Sequence, residues 1–123
     1  DVYKRQEYFK QNAIQVIQPD VGTCGGITEI KKICDMAHVF DVGVQVHACG
    51  SPLSTAAALH LECAIPNFVI HEHHTYALSP YNKELCIHDY QPVNGKFSVP
   101  DLPGLGNELS EVAFRNCDRV TIQ

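Results

Sequence analysis

Apolar positions along this chain fall into two alternating rhythms. Between Ala13 and Gln18 the residues Ile14, Val16 and Ile17 make a short run closed by Pro19, which predicts a buried strand ending at Asp20. A loop with Gly22, Gly25 and Gly26 comes next, after which Ile27, Ile30, Cys34 and Ala37 recur at spacings of three, four and three. That period lines one face of a helix over about Thr28 to Phe40, with Glu29 in its first turn and His38 near its end, both favourable to the helix dipole. Val42, Val44 and Val46 alternate as a second strand that stops at His47. Ser51 followed by Pro52 marks the start of a second helix: the hydroxyl caps free N–H groups, and proline has none to waste at the first helical position. Its Ala56-Ala57-Ala58 run suits close packing, and Pro66-Asn67 breaks it. Phe68-Val69-Ile70 then predicts a third strand, which delivers His71-Glu72-His73-His74.

Strands alternating with helices of this length imply an α/β fold of parallel strands joined by right-handed crossovers. After Tyr76 the character changes. Ser79-Pro80, Asn94-Gly95, Pro100 and Pro103-Gly104 punctuate irregular structure, with a strand expected near Cys86 to His88 and a last short helix within Asn107 to Cys117.

Composition narrows the picture further. The chain has 123 residues, 45% hydrophobic and 19% charged, the profile of one small soluble globular domain. Its 9 Lys+Arg against 14 Asp+Glu give −5 with no basic block, so no nucleic acid is expected as partner. No apolar run nears the roughly 20 residues needed to cross a bilayer, and the first residues hold no apolar signal core, which fits a cytoplasmic protein with no membrane partner. Six cysteines, at 24, 34, 49, 63, 86 and 117, form no Cys-x-x-Cys pair and read as reduced thiols packed as small hydrophobes. The opening Asp1-Val2-Tyr3-Lys4-Arg5-Gln6 is charged, lacks an initiator Met and resembles translated sequencing adaptor. On that reading residues 1–6 are non-native, the native sequence begins near Glu7, and the chain is a fragment.

Candidate chemistry lies just past the end of each strand. Asp20 to His47 is 27 positions and His47 to Glu72 is 25, close to one strand–helix unit each time. All three side chains are therefore expected at the C-terminal edge of neighbouring parallel strands, where α/β folds build active sites. There Asp20 would fix the tautomer of His47 and raise its basicity, making His47 a proton donor or acceptor. Each residue taken singly also fits a turn former or a surface group. The His71-Glu72-His73-His74 tetrad offers ligand types for zinc, but neighbours on an extended segment point to opposite faces: His71 and His73 share one side, Glu72 and His74 the other. Gly22-Thr23-Cys24-Gly25-Gly26 fits neither the dinucleotide fingerprint nor a P-loop. Cys49, two residues after His47, has no obvious second base to make it a nucleophile.

At these same positions the sequence resembles the C-terminal third of an enolase-superfamily enzyme of the mandelate racemase and sugar-acid dehydratase group. The resemblance is carried by Ile17-Gln18-Pro19-Asp20 running into Gly25-Gly26-Ile27-Thr28, by Val46-His47 followed by Gly50-Ser51-Pro52, by Ile65-Pro66-Asn67 leading to Glu72, and by Pro103-Gly104-Leu105-Gly106. It implies about three βα units of a (β/α)₈-type TIM barrel over residues 7–90, and a segment 91–123 returning toward a capping domain these residues do not contain. It further implies Mg²⁺ held by carboxylates on earlier strands, with no metal ligand in this chain. Asp20 and His47 match the family's Asp–His dyad, and Glu72 matches the acid that supports the substrate carboxylate or enediolate, with His73 beside it on the substrate side. In similar dehydratases the dyad histidine is the general acid that protonates a departing 3-hydroxyl, giving a 2-keto-3-deoxy sugar acid. Galactonate, mannonate and gluconate are the substrate types implied, and a homo-oligomer is the implied assembly of the full-length parent; three barrel strands with an open edge and an unpartnered apolar helix face are expected to be inactive alone. Val46, Ala48 and His73 depart from the Pro, Cys and Gln common in galactonate dehydratases. A racemase, epimerase or lactonising enzyme of the same superfamily, or a non-catalytic sugar-acid-binding relative, is the alternative.

Overall fold

The computed structural model describes residues 2–118 and 120–122. Asp1 of the opening string, and Arg119 and Gln123 of the tail, lie outside the described residues. The chain begins with helix α1 (Val2–Lys10), which the hydrophobic pattern does not predict. Its anchor is Phe9, 1% exposed and stacked on Phe40 with ring centroids 5.8 Å apart, so α1 seals the end of the helix that carries Phe40 as its C-cap.

Strand β1 (Val16–Ile17) pairs in parallel with β2 (Gly43–Val44), Val16 opposite Gly43 and Ile17 opposite Val44. The named strands are short, but the ladder continues past them. His47 N–H donates to Pro19 O at 2.9 Å, and a parallel bridge joins Asp20 to His47. Among the described residues the expected third strand is reduced to one parallel bridge, Val44 with Phe68, held by Val44 N–H to Asn67 O at 2.8 Å and Val69 N–H to Val44 O at 2.9 Å. A strand paired on one edge has half a ladder. Phe68, Val69 and Ile70 are 43%, 55% and 57% exposed.

Helix α2 (Ile27–Val39) connects β1 to β2. Its N-cap Gly26 sits at φ 87° after Gly25 at φ 99°, a left-handed pair that side chains resist, so the loop turns into the helix on glycine alone. Ile30, Ile33, Cys34 and Ala37 are its buried face, whereas Ile27, expected there, is 42% exposed. Helix α3 (Pro52–Cys63) starts as anticipated: Ser51 Oγ accepts from Ser54 N–H at 3.3 Å, and Pro52 leads. Its alanine run lies on the sheet, where Ala57, Ala58 and Leu61 join Ile17, Val44 and Val46 in one core.

Beyond a short 3₁₀ turn (Thr75–Leu78) and α4 (Pro80–Glu84), the tail folds back over α3. Buried Asn107 is the clamp: its side-chain amide donates to His88 O at 3.0 Å and to Pro52 O at 3.4 Å, and its carbonyl accepts from His88 N–H at 3.1 Å. Among the described residues the strand expected near Cys86 is a single antiparallel bridge to Leu109, and the last helix, α5, is Glu111–Arg115. Cys34 and Cys86 are buried as expected, and burial pushes the Cys34 thiol up to about 11. Cys49, Cys63 and Cys117 correct the expectation of packed thiols: they occupy a loop, the end of α3 and the chain just past the cap of α5, and are exposed. No helix among the described residues is long and apolar enough to cross a membrane.

Candidate active site

The ladder that runs beyond β1 and β2 sets Asp20 and His47 side by side at the C-terminal ends of adjacent parallel strands. Asp20 Oδ2 lies 2.8 Å from His47 Nδ1. A carboxylate accepts only, so Nδ1 carries the hydrogen of that bond and the second nitrogen, Nε2, is left for chemistry. The other carboxylate oxygen, Oδ1, accepts from Thr23 N–H at 2.8 Å in the turn that leads to Gly25 and Gly26.

Glu72 arrives from the third extended segment. Its Oε2 accepts from Ala48 N–H at 2.8 Å and stands 4.0 Å from His47 Nε2. One carboxylate thus holds the backbone immediately after His47 and places negative charge beside the free nitrogen. The side chain of His47 is 44% exposed while those of Asp20 and Glu72 are 20% and 26% exposed, an imidazole open to solutes backed by two shielded acids.

These contacts set the charges. The hydrogen bond with Asp20 raises His47 above its usual 6.5 and outweighs the opposing effect of burial, and the smaller fields of Glu72 and Asp20 add to the rise. For Asp20 burial pushes upward, but the hydrogen bonds from His47, from the backbone of Thr23 and Gly22 and from the Thr23 side chain together outweigh it, and the carboxyl lies below its usual 3.8. The site is an imidazole biased toward its protonated form, able to give a proton through Nε2.

The residues expected in register thus come together: Asp20, His47 and Glu72 share one edge. His73 does not join them. Its ring lies edge-on to Phe97 with centroids 5.4 Å apart, on the side it shares with His71 and away from Glu72, as the alternation of an extended segment requires. Among the described residues no group of three or more His, Cys, Asp or Glu could hold a metal ion. Sequence reasoning marked Ala48 only as a departure from the family pattern and missed its backbone N–H contact to Glu72, and it missed the Gly22-Thr23 turn. The turn had a signal: an Asp side chain at the end of a strand readily hydrogen-bonds to backbone a few positions on.

Comparison with known proteins bears on what such a site does. A family model described as enolase C-terminal domain-like matches residues 1–113. The chain is 33% identical over 112 residues to the D-xylonate dehydratase of Haloferax volcanii, an alignment covering 89% of this chain and 27% of that protein. It is 34% identical over 103 residues to the D-galactonate dehydratase of Xanthomonas campestris pv. campestris, covering 80% of this chain and 27% of that protein. Among solved structures, a member of the enolase superfamily from Salmonella Typhimurium superposes with a TM-score of 0.95 at 52% identity, covering 99% of this chain and 31% of that one. An enolase from Pantoea ananatis with bound D-gluconate and Mg superposes with a TM-score of 0.80 at 28% identity, covering 92% of this chain and 27% of that one. The chain spans 27% of the length of both of these curated relatives.

Proposed function

The chain belongs to the enolase C-terminal domain-like family, and from that membership we propose that it supplies the proton-donating side of a sugar-acid dehydratase active site. The observation that carries the reading is the 2.8 Å contact between Asp20 Oδ2 and His47 Nδ1 at adjacent strand ends, which leaves Nε2 as a proton donor beside Glu72. Sugar-acid dehydratases among the relatives support the substrate class.

In the proposed reaction a base takes the proton from the carbon next to the substrate carboxylate. The electron pair left behind forms a double bond to C3 as the C3–O bond breaks. His47 Nε2 gives its proton to the departing oxygen, which leaves as water, and the resulting enol tautomerises to a 2-keto-3-deoxy acid. Asp20 holds the imidazole by Nδ1 and offsets the charge of the imidazolium before transfer. Glu72 fixes the loop at Ala48 and steers Nε2. A general acid in such a position contributes on the order of 10²–10⁴-fold in rate.

The gluconate-bound neighbour carries Mg, but the described residues here offer no fitting cluster. The family resemblance assigns magnesium to carboxylates on earlier strands, and the roles proposed for His47, Asp20 and Glu72 do not run through it.

The test is His47→Asn in the complete enzyme, assayed for keto-acid formation from galactonate, xylonate, gluconate and mannonate. Loss of turnover with unchanged circular dichroism is the expected result, and retained turnover overturns the assignment. Exchange of the α-proton with solvent deuterium by the unmodified enzyme, without keto-acid formation, would place it with the racemases and epimerases instead.

A further inference from the structure

Asp20 can serve His47 only if the carboxylate presents Oδ2 squarely to Nδ1, and that orientation depends on what surrounds Oδ1. Oδ1 accepts from Thr23 N–H at 2.8 Å while Oδ2 meets the imidazole at 2.8 Å, so the carboxylate is gripped from both ends and has no slack. Gly22 lies against it. A Cβ at position 22 would sit 3.3 Å from Asp20 Oδ1 and 3.7 Å from Ser54 Oγ in the first turn of α3. The second distance is an ordinary contact. The first is tight, and the atom it crowds cannot retreat without lengthening one of the two hydrogen bonds that fix the dyad. The backbone at Gly22 is not left-handed, so glycine is not required there by the turn itself.

We infer that Gly22 is a positioning residue for the Asp20–His47 dyad: the space left by its missing side chain lets Oδ1 seat on Thr23 N–H and leaves Oδ2 in line with His47 Nδ1. The inference rests on the dehydratase reading only for its rate readout. The steric argument concerns this chain's residues alone.

The experiment compares Gly22→Ala, Gly22→Val and Gly22→Ala/Ser54→Gly with the unmodified complete enzyme, measuring kcat and KM for the accepted sugar acid against pH, together with Tm. The expected result for Gly22→Ala is a fall in kcat of about three- to tenfold with KM nearly unchanged, since displacements of a few tenths of an ångström in a catalytic array cost rate rather than binding. The alkaline limb of the profile moves to lower pH because the grip of Asp20 on His47 loosens. Gly22→Val deepens both effects. Tm stays level or rises, because alanine at a permitted backbone conformation restricts the unfolded chain. Removing the Ser54 side chain does not restore kcat, since the crowded atom is Asp20 Oδ1. An unshifted limb in Gly22→Ala, or restoration by Ser54→Gly, would overturn the inference. His47→Asn separates the two readings: if it is inactive while Gly22→Ala keeps the unmodified profile, the positioning role fails and the dehydratase reading stands.

Discussion

Two histidine–carboxylate pairs sit close together in this fold, and their heavy-atom distances are the same. His47 Nδ1 meets Asp20 Oδ2 at 2.8 Å, and His71 Nδ1 meets Glu62 Oε2 at 2.8 Å. Their surroundings differ in every other respect. The His47 side chain is 44% exposed and backed by a second acid, whereas His71 and Glu62 are 9% and 4% exposed. His71 takes both Glu62 oxygens on one nitrogen and packs its ring against Phe97 with centroids 4.5 Å apart. The first pair leaves a nitrogen facing solvent at the strand ends. The second ties an extended segment down onto α3. Hydrogen-bond length therefore says little about role; access to the remaining ring nitrogen says much more.

That contrast can be broken by substitution. Changing His47 to Asn in the complete enzyme should lower kcat by about 10²–10⁴-fold, with the urea midpoint little changed; a large loss of stability would make the pair structural after all. His71→Ala should do the reverse. Stranding the buried Glu62 carboxylate costs about 3–5 kcal/mol in chemical denaturation, while turnover per folded molecule is retained. The comparison sharpens if both members go: Glu62→Leu with His71→Leu should recover most of that loss, since an apolar pair of similar volume needs no compensation for buried charge. Failure to recover would show that the pair matters through something other than its burial. Smallest is Phe97→Ala, which removes the ring contacts to His71 and His73 and should cost ~1 kcal/mol beyond the lost area, without moving the pH profile.

The same two pairs show what could be read in the sequence. Asp20, His47 and Glu72 were legible because each closes an extended segment one strand–helix unit after the last, and the parallel ladder aligns such positions. The faces of His71 and His73 were legible from alternation. The Glu62–His71 pair was not, because Glu62 sits in an alanine-rich helix whose sequence does not indicate which strand residue it will meet. Helix α1 was hidden for a related reason: its short charged string is anchored by the buried aromatic Phe9 and has no apolar period. The third strand was overestimated. Phe68-Val69-Ile70 has strand composition, but among the described residues it pairs on one edge only, and its side chains stay largely exposed.

Charge makes the dyad testable over pH. His47 lies above its usual 6.5, so its share of the pair's stabilisation is complete below that value and is lost as pH rises through the raised one. Asp20 lies below its usual 3.8, so its share is present above 3.8 and is lost as pH falls through the lowered value. Between 3.8 and 6.5 both are charged and the pair is at full strength.

The decisive measurement is the pH dependence of kcat/KM for the complete enzyme beside its Asp20→Asn variant. If His47 is the general acid and Asp20 sustains its protonated form, the alkaline limb of the unmodified enzyme falls above pH 6.5 and moves to lower pH in Asp20→Asn. Superimposable alkaline limbs would contradict the account, because the 2.8 Å contact would then have no part in setting the proton that the reaction uses.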